Sequence, residues 1–253
     1  MKYLIDETDK RNKILKKIMK NNGFNAFTYE NNLILEKTDK LIFAPNKKFD
    51  KDFCESLPSE ITIFSGNISQ EVAEVFAKKN IRHINFLSDE IFAIQNSHLT
   101  AEGILGLLIY EQEKSIFDTN ILILGSGRVG KTLAELFGKI GVNFKMAANS
   151  LATYESCFYF SKNNYLGNDY KNHLDEFDVI INSVPSKILT QEDVDNINSN
   201  CLFLEIASIP TLEGLNHEFK YVLCPALPQK FSAESAGKLL YECFLRLNKD
   251  ETS

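Results

Sequence analysis

Residues 121–130 read Ile-Leu-Ile-Leu-Gly-Ser-Gly-Arg-Val-Gly, four apolar residues running into Gly125-x-Gly127-x-x-Gly130. That spacing suits a diphosphate. Gly125 permits a tight turn, Gly127 lets the backbone approach a pyrophosphate, and Gly130 lets the next helix pack against the strand. The helix expected from Lys131 to Ile140 then turns N–H groups and a partial positive charge toward the phosphates. Ser126, Arg128 and Val129 complete the loop as expected cofactor contacts, with Arg128 also in reach of a substrate.

The choice of dinucleotide falls to the next strand. An NAD-selective site carries an acid ~20 positions on, bonded to the ribose 2′-OH. Here the strand ends Met146-Ala147-Ala148-Asn149-Ser150, with no acid. Asn149 and Ser150 can donate to a 2′-phosphate that an acid would repel, and Lys145 adds charge if the strand end shifts by a residue or two. NADP is therefore favoured, with NAD as the alternative; a plain turn favoured by Asn and Ser would leave the choice open. Ser183-Val184-Pro185 follows an expected strand at Val179–Asn182. Ligands in open α/β sheets lie beyond the carboxyl ends of strands, so this loop, the glycine loop and Ala207-Ser208 should line one crevice.

Alternating elements must position these loops. Strands are expected at Tyr3–Ile5, Leu41–Ala44, Ile61–Phe64 and Ile84–Leu87, with helices at Asp9–Asn22 and Glu71–Lys79. In the first helix Ile14, Leu15, Ile18 and Met19 form the apolar face, opposite a row of solvated lysines. A helix from Thr100 to Glu113, with Thr100 as its N-cap, leads into the strand at Ile121. Later strands are expected near Val142–Ala147, Cys201–Ile206 and Tyr221–Leu223, with Thr190-x-x-Asp193 opening a helix. Ser232 should cap a last helix with Ala233, Ala236, Leu239, Leu240, Cys243 and Phe244 inward. The pattern is α/β in two lobes: a flavodoxin-like parallel domain over 1–98, a Rossmann-type dinucleotide-binding domain over 99–231, and a C-terminal helix over 232–253 returning to the first lobe.

Composition narrows the class. The chain has 253 residues, 44% hydrophobic and 25% charged, with a net charge of −6. An acidic balance argues against a nucleic-acid binder. No apolar run approaches the ~18 residues of a membrane span and no signal peptide is evident, so a cytoplasmic protein is expected. Five scattered cysteines, Cys54, Cys157, Cys201, Cys224 and Cys243, form no CxxC pair, and the four histidines are isolated. Four of the cysteines lie in apolar or strand-like surroundings, which predicts buried reduced thiols, and the spacing predicts no metal site.

Several segments together resemble the A subunit family of dipicolinate synthase. They are Asp9-Lys10-Arg11, Ser65-Gly66-Asn67-Ile68, Asn96-Ser97-His98-Leu99-Thr100-Ala101-Glu102-Gly103, the glycine loop, Asn182-Ser183-Val184-Pro185, Glu205-Ile206-Ala207-Ser208, and Pro225-Ala226-Leu227-Pro228 with Ser235-Ala236-Gly237. The chain departs from the family at Asn149, where the family has Arg, at Ile209-Pro210-Thr211, where it has Pro-Gly-Gly, and at Gln229 and Glu234. The resemblance implies oxidation of dihydrodipicolinate to dipicolinate with NADP, alongside a flavoprotein B subunit, in spore formation. A small dicarboxylate asks for guanidinium, ammonium, or hydroxyl and amide donors. Arg11 is positioned for one carboxylate; Asn96, Ser97 and Thr100, read at a loop-to-helix junction, form an anion site; Lys230 closes the cleft. Glu102 is the expected base. A homo-oligomer is compatible with this reading, and a catalytically silent NADP(H)-binding sensor or scaffold is its rival, as is another two-lobed NAD(P)-dependent dehydrogenase.

Overall fold

The computed structural model describes residues 1–30, 34–36 and 39–249, and divides into two units, Met1–Leu99 with the chain from Pro228, and Thr100–Leu227. Residues 250–253 of the expected C-terminal segment lie outside the described residues.

In the first unit, side-chain alternation builds a sheet covered on both faces. Tyr3 and Ile5 of β1 (Tyr3–Ile5) join one core and Leu4 the other, as the two-residue period of a strand requires. All neighbours are parallel: β2 (Ala26–Thr28) and β3 (Lys40–Ile42) flank β1, and β4 (Thr62–Ser65) and β5 (Arg82–Asn85) follow, in the order β2-β1-β3-β4-β5. That is the flavodoxin-like order. Helix α1 (Lys10–Asn21) buries Leu15 and Met19 in the core that holds Tyr3, Ile5 and Phe64. Leu240, Cys243 and Phe244 of α9 (Ala233–Lys249) lie in the same core. The opposite core packs Leu41 and Ile63 with Cys54 of α2 (Lys51–Ser56) and Val72, Val75 and Phe76 of α3 (Gln70–Lys78).

The second unit repeats the plan with six parallel strands: β6 (Ile121–Leu124), β7 (Phe144–Ala148), β8 (Tyr165–Leu166), β9 (Val179–Asn182), β10 (Leu202–Glu205) and β11 (Lys220–Leu223). Their order is β11-β10-β9-β6-β7-β8. Counted from β6 as first, this is the 3-2-1-4-5-6 order of dinucleotide-binding sheets. Ile121 and Ile123 face Leu133 and Phe137 of α5 (Arg128–Ile140), while Leu122 and Leu124 face the second core with Ile180 and Phe203. Thr190 opens α7 (Gln191–Asp195) with the reciprocal capping box its sequence spells.

Some expected boundaries shift. The helix read as starting at Thr100 is α4 (Glu90–Glu111), which begins ten residues earlier. Its start is held by Asp89, whose carboxylate accepts the Phe92 N–H at 2.9 Å and whose carbonyl accepts the Ala93 N–H. Thr100 is therefore mid-helix and caps nothing, Glu102 is not a first-turn acid, and Asn96 and Ser97 lie within the helix rather than at a junction. The Ser97 hydroxyl donates to the Ile94 carbonyl at 2.7 Å, an intrahelical use that lets a cap-like residue sit inside a helix. The expected strand Ile84–Leu87 is likewise displaced, to β5, with a single 3-10 turn at Phe86–Ser88. The unit boundary falls within α4 and at Leu227/Pro228, so Leu99 and residues 228–231 group with the first unit rather than with Thr100–Leu227.

Candidate functional site

The order of the second sheet reverses between β6 and β9, and such a switch point leaves a crevice at the carboxyl ends of the strands. A cleft of about 420 Å³ lies there, lined by Gly125, Ser126 and Gly127 after β6, Asn149 after β7, and Ser183, Val184 and Pro185 after β9. This volume is within the range of small-molecule sites.

Local chemistry fixes the loop. Gly125 has φ +102° and donates its N–H to the Ala147 carbonyl. A side chain on it would meet the Ser183 hydroxyl at 2.5 Å, and one on Gly130 would meet the Gly125 carbonyl at 2.2 Å. Ser183 donates both its N–H and its hydroxyl to the Leu124 carbonyl, at 2.9 and 2.8 Å, binding the two strand ends together. Gly127 differs: a Cβ there would meet nothing within 4 Å. It is the N-cap of α5 and makes no side-chain capping bond, so no side chain of its own covers the helix start. Val129 packs against the core, and Arg128 is exposed in the first turn.

Sequence reasoning misses the network beneath the cleft. Glu205, 2% exposed at the end of β10, accepts Asn182 Nδ2 at 2.9 Å, the Ala207 N–H at 3.1 Å and the Thr211 N–H at 2.8 Å. Asn182 Oδ1 accepts the Val184 N–H, and the Thr211 hydroxyl accepts the N–H groups of Ile188 and Leu189. The loops after β9 and β10 are thus set by one buried carboxylate. Burial pushes the Glu205 carboxyl above its ordinary pKa, against those donors. A lone Glu at a strand end gives no sequence sign of such a role. Thr153, Gly167, Asn168 and Tyr170 also line the cleft without having been anticipated; Gly167-Asn168 is the one turn signal among them.

Two expected contributors are engaged elsewhere. Ser150 caps α6 (Leu151–Cys157), with its hydroxyl 2.8 Å from that of Thr153. Lys145, second in β7, bonds the Tyr165 hydroxyl at 2.9 Å and Glu176 at 3.3 Å and lines a separate groove with Asn120 and Asn143. No shift of the strand end brings it to the cleft.

The expected substrate residues divide between the units. Arg11, 3% exposed, is bidentate on Asp9 through Nε at 2.9 Å and Nη2 at 2.7 Å, and Nη2 also donates to Asn46. Gln229 Oε1 accepts the Lys10 N–H at 3.2 Å, so exposed Lys230 of α8 (Leu227–Phe231) follows a residue held at the start of α1. Asn96 and Ser97 also lie in the first unit, whereas Thr100 and Glu102 lie in the second. No group of three His, Cys, Asp or Glu side chains among the described residues could hold a metal ion, and no described helix is long and apolar enough to cross a membrane.

No family model matches the chain. Its sequence is 28% identical over 205 residues to the A subunit of dipicolinate synthase from Bacillus subtilis strain 168, spanning 78% of this chain and 68% of that protein. The structure of the dipicolinate synthase A subunit from Bacillus halodurans superposes with a TM-score of 0.86 at 19% identity, covering 97% of both chains. D-lactate dehydrogenase of Escherichia coli, in its apo structure, gives 0.66 at 12% identity over 100% of this chain and 97% of that one. The resemblance carried by the sequence segments is borne out by these comparisons, and the fold is shared with Rossmann-type dehydrogenases.

Proposed function

We propose that this chain, similar along most of its length to the A subunit of dipicolinate synthase, is an NAD(P)-dependent oxidoreductase component that converts dihydrodipicolinate to dipicolinate (pyridine-2,6-dicarboxylate) in the cytoplasm. The observation that carries the reading is that similarity combined with a glycine-loop cleft at the switch point of the second sheet. The groups present fit a dinucleotide. Gly127 leaves open space where a diphosphate must approach, α5 starts without a side-chain cap, and the cleft is of small-molecule size.

In this reading the amides of residues 127–130 hold the diphosphate, and Gly125, Ser126, Asn149, Ser183, Val184 and Pro185 form the walls. Ser150 contributes by starting α6 beside Asn149, and Arg128 and Val129 by shaping the first turn of α5. A bound nicotinamide dinucleotide supplies the hydride acceptor. The dihydropyridine loses a hydride and a ring proton, and becoming aromatic drives the loss. Glu102 is assigned the proton. Arg11 is assigned a substrate carboxylate through Nη1, since Asp9 and Asn46 fix the rest of its guanidinium. Asn96, Ser97, Thr100 and Lys230 are assigned the remaining dicarboxylate contacts, and a flavoprotein B subunit is the proposed partner.

The test is direct. Purified chain, dihydrodipicolinate and NADP, with and without the flavoprotein, should generate pyridine absorbance. A second reading, a silent dinucleotide-binding sensor or scaffold, draws support from Arg11, whose bidentate partner is already Asp9. Saturable NADPH binding without turnover, even with the flavoprotein present, selects it.

A further inference from the structure

The cleft wall after β7 is where the adenosine ribose lies in a sheet of this order, because the second strand of the mononucleotide-binding half ends there. In this chain that wall is Ala148, Asn149, Thr153, Gly167 and Asn168, and no described residue lining the cleft carries a charge. The two means of discriminating NAD from NADP are an acid, which bonds the ribose 2′-OH and repels a 2′-phosphate, and a cation that clamps the phosphate. Neither is present on that wall. The lysine on the same strand, Lys145, is held by Tyr165 and Glu176 and sits over the Tyr165 ring at 5.2 Å. The Ser150 hydroxyl is engaged in starting α6. What remains to face the 2′ position is neutral, led by exposed Asn149, whose amide can accept from a hydroxyl or donate to a phosphate.

We infer that this site accepts NAD(H) and NADP(H) with similar affinity, and that Asn149 is the position where a single charge sets the preference. The inference rests on the dinucleotide reading of the cleft and replaces the NADP preference expected from the sequence. A carboxylate at 149 adds a charge-assisted bond to the 2′-OH and repulsion to a 2′-phosphate; a guanidinium does the reverse.

The experiment is a fluorescence titration of the wild-type chain, Asn149→Asp and Asn149→Arg with NADH and with NADPH, folding being checked by circular dichroism. For the wild type, the two Kd values should agree within about tenfold. Asn149→Asp should shift the NADPH/NADH Kd ratio upward by about tenfold or more, and Asn149→Arg should shift it downward by as much. A wild-type preference beyond about tenfold, or a ratio that neither variant moves, overturns the inference. Failure of the folded wild type to bind either nucleotide at millimolar concentration overturns the dinucleotide reading itself, a separable outcome.

Discussion

Two glycines of one loop do opposite work. Gly130 faces the Gly125 carbonyl so closely that Gly130→Ala must displace the loop, at a cost of about 2 kcal/mol from overpacking. Gly127 faces open space, so Gly127→Val should leave the fold intact while filling the room a diphosphate needs. Expected together are, for Gly127→Val without ligand, a melting temperature lowered only by the ~1 kcal/mol that an apolar residue costs at an N-cap, and loss of the rise that saturating NADPH gives the wild type. Ligand at a hundred times its Kd contributes about 2.7 kcal/mol, readable by differential scanning fluorimetry. A Gly127→Val protein that still gains stability from NADPH would remove residue 127 from the site. Glu205 is a residue-scale case of another kind. Glu205→Ala strands the N–H groups of Ala207 and Thr211 and leaves Asn182 Nδ2 with the Val184 carbonyl at 3.3 Å, and should cost about 3 kcal/mol in urea unfolding. A change within about 0.5 kcal/mol would mean that the two loops are fixed by other contacts.

At the scale of elements, α4 is secured by a residue the sequence does not advertise as its start. Asp89 holds the first turn and also accepts from Arg246 Nε at 2.6 Å, joining α4 to the last helix of the same unit. Burial pushes the Asp89 carboxyl up, but the Arg246 guanidinium and the Phe92 N–H outweigh it and hold the carboxyl below the usual range. A lowered folded pKa means that the unfolded chain binds the proton more readily, so the stabilisation is present above the unfolded value and lost as pH falls through the folded one. Asparagine preserves the cap and removes the charge. Asp89→Asn should thus cost about 1 kcal/mol at neutral pH, and the gap to wild type should close below about pH 4. A gap constant from pH 7 to 3 would assign the effect to shape instead of charge.

For the chain as a whole, all five cysteines are buried and outside any disulfide. Burial pushes the Cys54 thiol to about 11 and Cys201 to about 12, and raises Cys157 and Cys243 as well. A thiol that is both inaccessible and protonated is a poor nucleophile. The native protein should therefore be inert to a disulfide reagent such as DTNB at pH 8, with all five thiols titrating after guanidinium unfolding. Rapid reaction of any one in the native state would contradict the packing around it. Both units have the same construction, a parallel sheet wound on both faces, yet their strand orders place the reversal at β1/β3 in one and at β6/β9 in the other.

The doubly wound plan was legible because buried strands and helix faces announce themselves through local periodicity, as at Tyr3–Ile5, Ile121–Leu124 and Val179–Asn182. The glycine loop was legible because its spacing encodes backbone conformations that few other residues can adopt. The α4 start was not: Ser97 and Thr100 carry cap chemistry, and only packing of Phe92 in one core and Ala101, Ile104 and Leu108 in another determines that the helix runs through them. The assignments of Lys145 to Glu176, of Arg11 to Asp9 and of Glu205 to three donors pair groups from separate elements or settle a choice among partners. Sequence thus determined what each segment can form, since propensity and periodicity are local. Tertiary structure decided which polar groups were already satisfied, because that depends on neighbours brought together only by folding.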